Sequence, residues 1–188
     1  MSTVINFESR ALDKLRARVQ QLDEANADLL AYARGHAGAV AQIHAAALAA
    51  MDATDFPHLV HIVTQDWTDI LGIDAIALGL ETSNQAWRGE TALQFLSAGG
   101  VDALLGVGHE VTLRAVPEGG APLFGPAATL IRSEALVRLR PRSPLPQGLL
   151  ALGSRQAHSF EGTHGAELLT FLGGVVARML ARCLIATR

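Results

Sequence analysis

Leu12, Leu15, Val19, Leu22, Asn26 and Leu29 recur near the start of the chain at alternating spacings of three and four. This is a heptad seam, with Leu12, Val19 and Asn26 at the a positions and Leu15, Leu22 and Leu29 at the d positions. Leucine at every d with one asparagine at a favours a parallel two-stranded coil, the asparagine giving up stability to fix the register. Arg18 at g and Asp23 at the following e would attract across such a dimer, although an exposed pair contributes less than about 1 kcal/mol. The same spacing also suits an amphipathic helix lying on its own domain, because three heptads is short for a coiled coil. Residues 1–52 are therefore expected to form a helical dimerisation arm, and residues 53–188 a separate domain.

Gly35 and Gly38 predict a bend or break, since each glycine costs about 1 kcal/mol relative to alanine inside a helix. Val40, Ile43, Ala47 and Met51 resume a helical stripe. Asp55-Phe56-Pro57 reads as a new helix start, which runs through Leu59, Val60, Val63, Trp67 and Ile70 to Gly72. Residues 74–81 then alternate with a period of two and predict a strand. Between 82 and 100 the signals are mixed, with polar turn residues, Trp87 and a short apolar patch from Leu93 to Leu96. Val101 to Leu105 suggests one or two helical turns, Glu110 to Val116 a strand, and 117–120 a loop. Ser133 to Arg140 has a half-buried strand pattern, Pro141, Pro144 and Pro146 force a turn, and 148–153 supplies another strand. Thr163 is placed to cap a terminal helix carrying Leu168, Leu172, Val175, Met179 and Cys183. Strands without regular crossover helices predict an α+β fold: a central antiparallel sheet with helices packed on one face, preceded by a long N-terminal helix.

Composition narrows the function classes. Hydrophobic residues make up 49% and charged residues 18% of the 188, which excludes global disorder. The net charge of −3 lacks the basic excess of phosphate-backbone binders and argues against direct nucleic-acid binding. One cysteine, Cys183, can form neither an intrachain disulfide nor a cysteine-based zinc site. The apolar stretches 37–51 and 168–185 are interrupted by polar residues, which argues against a membrane span, and the first residues lack a signal-peptide pattern. Cytoplasm is the expected compartment.

Several segments carry a family resemblance: Leu123-Phe124-Gly125, Ile131-Arg132-Ser133-Glu134-Ala135-Leu136, and Gly148-Leu149-Leu150-Ala151-Leu152-Gly153-Ser154 ahead of His158-Ser159-Phe160. With the Asn6-Phe7 helix, Leu71-Gly72-Ile73-Asp74 and the C-terminal helix, they span nearly the whole length. The chain resembles the DUF484 proteins. The resemblance implies a GAF-like fold for 53–188, preceded by a long helix that mediates dimer contact, and it implies no established activity. GAF relatives generally bind a small molecule between the sheet and overlying loops, or have lost the ligand and act as dimerisation modules. The family is often encoded beside a tyrosine site-specific recombinase, a hint about partners alone.

Catalytic chemistry finds little support in the residues. Cys183 shares a helical stripe with Met179 and reads as a small buried hydrophobe. The cysteine arrangements of methionine-sulfoxide-reducing GAF enzymes and of bilin-attaching GAF domains are both missing. His58 and His61 share a helix face without an HExxH pattern, and His109, His158 and His164 fall in loops with no triad spacing. Gly106-Val107-Gly108 lacks the third glycine of a dinucleotide fingerprint, and no G-x-S-x-G occurs. The chain is read as non-catalytic, with no cofactor and no metal site.

The strongest candidate for a site is Leu123 to Arg138. Phe124 offers an aromatic face and Arg132, Ser133 and Arg138 offer donors for an anion, with His109 as a further candidate ligand residue. The alternative is that Phe124 plugs the sheet end, Ser133 satisfies a loop carbonyl, and the arginines pair with carboxylates such as Glu134. Two functions follow: a signalling sensor whose cavity binds a small, anionic ligand and acts on the dimer arm, or a ligand-free interaction module with a filled cavity. The expected partners are a second copy of the chain, a small molecule and an unidentified protein.

Overall fold

The protein is described by a computed structural model at residues 7–82, 93–143, 145–160 and 164–185. Thr163 and Trp87, both singled out above, lie outside the described residues. Helix α1 spans Phe7–Met51, and its helical bonding continues through Gly35 and Gly38 instead of breaking there. Both glycines are followed by strong helix formers, Ala37 and Ala39 to Ala41 among them once Val40 is set aside, and these offset the local cost. Two compact units divide the chain, Met1–Ala41 and Gln42–Arg188.

In the second unit, residues 42–51 of α1 bury Ile43, Ala46, Ala47 and Ala50 in the core. The expected cap then forms: Asp55 adopts an extended conformation and its carboxylate accepts from the His58 amide at 2.8 Å, starting α2 at Phe56–His61. A π-helical turn at Ile62–Asp66 follows directly, and then α3 at Trp67–Leu71, ended by Gly72 in the left-handed region. Trp67 is fully buried, and its indole N–H donates to the Ala46 carbonyl at 2.9 Å, satisfying the only polar group on that side chain.

Five strands make one sheet: β1 Ala75–Glu81, β2 Leu93–Leu96, β3 Val111–Ala115, β4 Ser133–Leu139 and β5 Gly148–Ser154, in the order β2-β1-β5-β4-β3. Three of the four pairings are antiparallel, but β2 runs parallel to β1, with Leu78 opposite Leu93. The sheet is therefore mixed, which corrects the antiparallel expectation.

The helices also cover both faces, where one was expected. On the first face Ile76, Leu78, Leu80, Ala135, Val137, Leu139, Leu150 and Leu152 pack with α2, the end of α1 and α6 at His164–Ile185. On the second, Ala77, Leu136, Leu149 and Ala151 meet α4 at Gly100–Leu105, α5 at Ala121–Phe124 and the 3-10 turn at Gly125–Leu130. Strands β4 and β5 are consequently buried at every position, so the half-buried pattern of 133–140 does not describe a solvated face. The second layer follows from apolar residues such as Val101, Leu105, Leu123 and Ile131, which would otherwise stay exposed. None of the described helices is long and apolar enough to cross a membrane.

Candidate functional site

Residues at even positions of β4, Glu134, Leu136 and Arg138, point to the second face, where α4, α5 and the intervening loops lie. Two charges are thus buried beneath that layer, and each has to find a partner there. Arg138 does so completely. Its Nε donates to the His109 carbonyl at 2.9 Å, Nη1 to the Gln147 side-chain oxygen at 3.1 Å, and Nη2 to Asp102 at 2.7 Å and the Gly106 carbonyl at 3.1 Å. One guanidinium thereby ties β4 to α4, to the loop before β3 and to the residue preceding β5. These bonds occupy all three guanidinium nitrogens, so Arg138 acts here as a structural anchor.

Glu134 is only 2% exposed and accepts from Arg114 of β3 through Nε at 2.8 Å and Nη2 at 2.5 Å, both on Oε1. Its Oε2 is the one buried side-chain oxygen or nitrogen without a hydrogen-bond partner among the described residues. Arg114 was not singled out from sequence. Its place opposite Glu134 in the β3–β4 register is the signal, and that pairing becomes visible only with the strand order known.

The remaining candidate residues are dispersed. Ser133 donates from Oγ to the Gln156 carbonyl at 2.6 Å and is buried. Arg132 is exposed, and its Nη1 donates to the carbonyls of Thr129 at 2.8 Å and Ile131 at 2.9 Å. The Nδ1 of His109 lies 3.4 Å from the Leu105 carbonyl, on an open groove formed with α4 and β3. Phe124 is buried against Ile131 and β5, where a Cβ built on Gly153 would stand 3.0 Å from its ring, so only glycine leaves room for it. Phe124 also borders a cavity of about 190 Å³ with Leu123, Gly125, Pro126, Thr64, Gln65 and Gln94. Arg132, Ser133 and Arg138 do not line that cavity.

Immediately before β1, Asp74 receives the Arg155 amide at 2.9 Å, the Arg155 Nε at 2.6 Å and the Ser154 hydroxyl at 3.2 Å. The Arg155 backbone bond, above all, holds the Asp74 carboxyl below its ordinary range. The Cys183 thiol is 4% exposed, and burial pushes its pKa upward, the opposite of nucleophile activation. No three His, Cys, Asp or Glu side chains converge into a metal-holding group among the described residues.

Comparison with known proteins places the fold. A search of curated proteins gives no match. Among solved structures, the chain is similar to the chromophore-binding domain of an unusual bacteriophytochrome from R. palustris, with a TM-score of 0.52 and 12% identity. The likeness covers 77% of this chain and 62% of that one, so this chain spans about three-fifths of the phytochrome domain. At that identity the likeness concerns the fold alone, and it is the GAF-type arrangement. The family model described as "Protein of unknown function, DUF484" matches residues 1–184, and the chain belongs to that family.

Proposed function

We propose that this protein is a non-catalytic, cytoplasmic regulatory module that works as a homodimer through the seam of α1 and acts by contacting a partner protein. The observation carrying this reading is the seam itself. Leu15, Val19, Leu22 and Leu29 are 62%, 56%, 57% and 67% exposed, at heptad spacing along one helix. Burying a side chain of this kind contributes roughly 1.5–3 kcal/mol, so a row of four is a strong drive to associate. Asn26 is exposed on the same seam, where a second copy would satisfy it and fix the register. The side chain of Leu12 lies outside the described residues.

The test is the Leu15→Lys, Leu22→Lys double variant in analytical ultracentrifugation. Wild type is expected to sediment as two chains. The variant should run as one chain with unchanged near-UV circular dichroism, because two unpaired charges cannot be buried at d positions. A monomeric wild type at tens of micromolar overturns the reading.

The sensor alternative draws on two observations. The phytochrome domain binds a chromophore on a fold of this type. The cavity beside Phe124 is also bordered by polar groups on Thr64, Gln65 and Gln94, two of them from the π-helical turn. Its 190 Å³ is small beside the roughly 300–1,000 Å³ of drug-sized sites, which favours the filled-core reading. A thermal-shift screen of nucleotides, carboxylates and aromatic acids separates the two, since a ligand selective for the native state raises the melting temperature. A hit abolished by Phe124→Ala, in a variant that still folds, would establish the sensor.

A further inference from the structure

Four arginines border one cleft on the side of the sheet covered by α6. Arg140 and Arg142 come from the end of β4 and the loop after it, and Arg178 and Arg182 from the last turns of α6. Gly174, Ala177, Ala181 and Pro141 complete the lining, and the volume is about 660 Å³. Small residues at i, i+3 and i+7 of α6 keep the floor low and apolar, with the guanidinium groups around it.

The charges are not balanced locally. Arg140 pairs with Glu110, which receives its Nε at 3.1 Å. No carboxylate lies within ion-pair distance of Arg142, Arg178 or Arg182 among the described residues. Two of these three are nevertheless held in place by neutral acceptors. Arg178 Nη1 donates to the Gly174 carbonyl at 2.9 Å, and Arg182 Nη2 to the Ala53 carbonyl at 2.7 Å. Each keeps further N–H donors available, so part of the ordering cost of an anion site is already met by the fold.

We propose that this cleft binds a small phosphate ester carrying a diphosphate group, of the size of a nucleoside diphosphate. Planar guanidinium forks match phosphate oxygens two at a time, and three unneutralised cations suit an anion of two to three charges. The volume falls within the range of small-molecule sites, and the Pro141, Ala177 and Ala181 floor receives the uncharged body of the ligand. Because α6 brings its negative C-terminal end to this cleft, the attraction comes from the arginines and not from the helix. The site is separate from the cavity beside Phe124 and independent of dimerisation through α1.

Isothermal titration of the full-length protein with sodium pyrophosphate and with ADP, at low salt, tests the proposal. Both are expected to bind, ADP more tightly, and Arg142→Ala and Arg178→Ala should each weaken pyrophosphate by about tenfold, the loss of one charge-assisted contact. Both side chains are exposed, so the variants should fold as wild type does, which circular dichroism verifies. Glu110→Gln should strengthen pyrophosphate binding by releasing Arg140. The proposal is overturned if wild type binds neither compound at millimolar concentration, or if the Arg142→Ala, Arg178→Ala double variant binds both as wild type does. It is equally overturned if a polyglutamate peptide binds the cleft and pyrophosphate does not.

Discussion

Gly173 and Gly174 are neighbours on α6, yet alanine should act on them in opposite directions. A Cβ on Gly173 would stand 2.6 Å from Val137 Cγ1, about 1 Å inside the normal carbon–carbon contact, with Arg138 O and Leu139 Cδ2 at 3.6 Å behind it. Val137 is buried and β-branched, so its methyl group cannot rotate away cheaply. Overpacking of this kind costs about 1–3 kcal/mol, against about 1 kcal/mol gained from helix propensity. Gly173→Ala should therefore lower stability by up to about 2 kcal/mol. At Gly174 the nearest atom is Arg178 Nη1 at 3.0 Å, the tip of an exposed side chain that can shift outward at the expense of its single bond to the Gly174 carbonyl. There the propensity gain should survive, stabilising the protein by up to about 1 kcal/mol. With roughly 2–4 °C per kcal/mol for a chain of this size, the two variants should bracket wild type in a thermal melt. Placing Gly173→Ala in a Val137→Ala background should reduce its cost, because the methyl group that causes the clash is gone. If Gly173→Ala stabilises as much as Gly174→Ala, the packing of α6 on β4 is looser than described and the reasoning fails.

Further expectations follow from the buried charges and the thiol. Arg114→Ala should destabilise by about 3 kcal/mol in urea denaturation, because it strands the buried Glu134 carboxylate, and Glu134→Gln in the same background should recover part of the loss. Asp74 has a lowered folded pKa through its Arg155 bonds. Its contribution is therefore present above the ordinary carboxylate value and lost as pH falls below about 4. An Asp74→Asn variant should show a shallower acid limb in pH-dependent melts, and an unchanged limb would rule out this contribution. Native Cys183 should react with a thiol reagent far more slowly than the unfolded chain, and equal rates would place it on the surface.

The elements that could be read from sequence are those in which one signal dominates. The Asp55-Phe56-Pro57 start, the Gly72 stop and the period-two runs of β1 and β4 all correspond to elements of the structure. The second layer could not be read, because β4 carries Glu134 and Arg138 on a face that sequence logic assigns to water. Burial of those charges depends on Arg114 and Asp102, which lie 20 and 36 residues away in the chain. Strand β2 has only four residues and sits in a stretch of mixed signals, so neither its existence nor its parallel pairing was legible. The four-arginine cleft joins two segments with no shared motif, and α6 showed its apolar stripe far more plainly than its arginine edge.

The bond from Trp67 to Ala46 gives the fold an optical probe at a useful place. Indole emission responds to the loss of a hydrogen bond and to the entry of water, and this indole is seated against the segment of α1 that enters the core. Sequence contains one other tryptophan, Trp87, so a Trp87→Phe protein would emit from this position alone. Its spectrum then reports whether the root of α1 is seated or released, without any label attached to the chain.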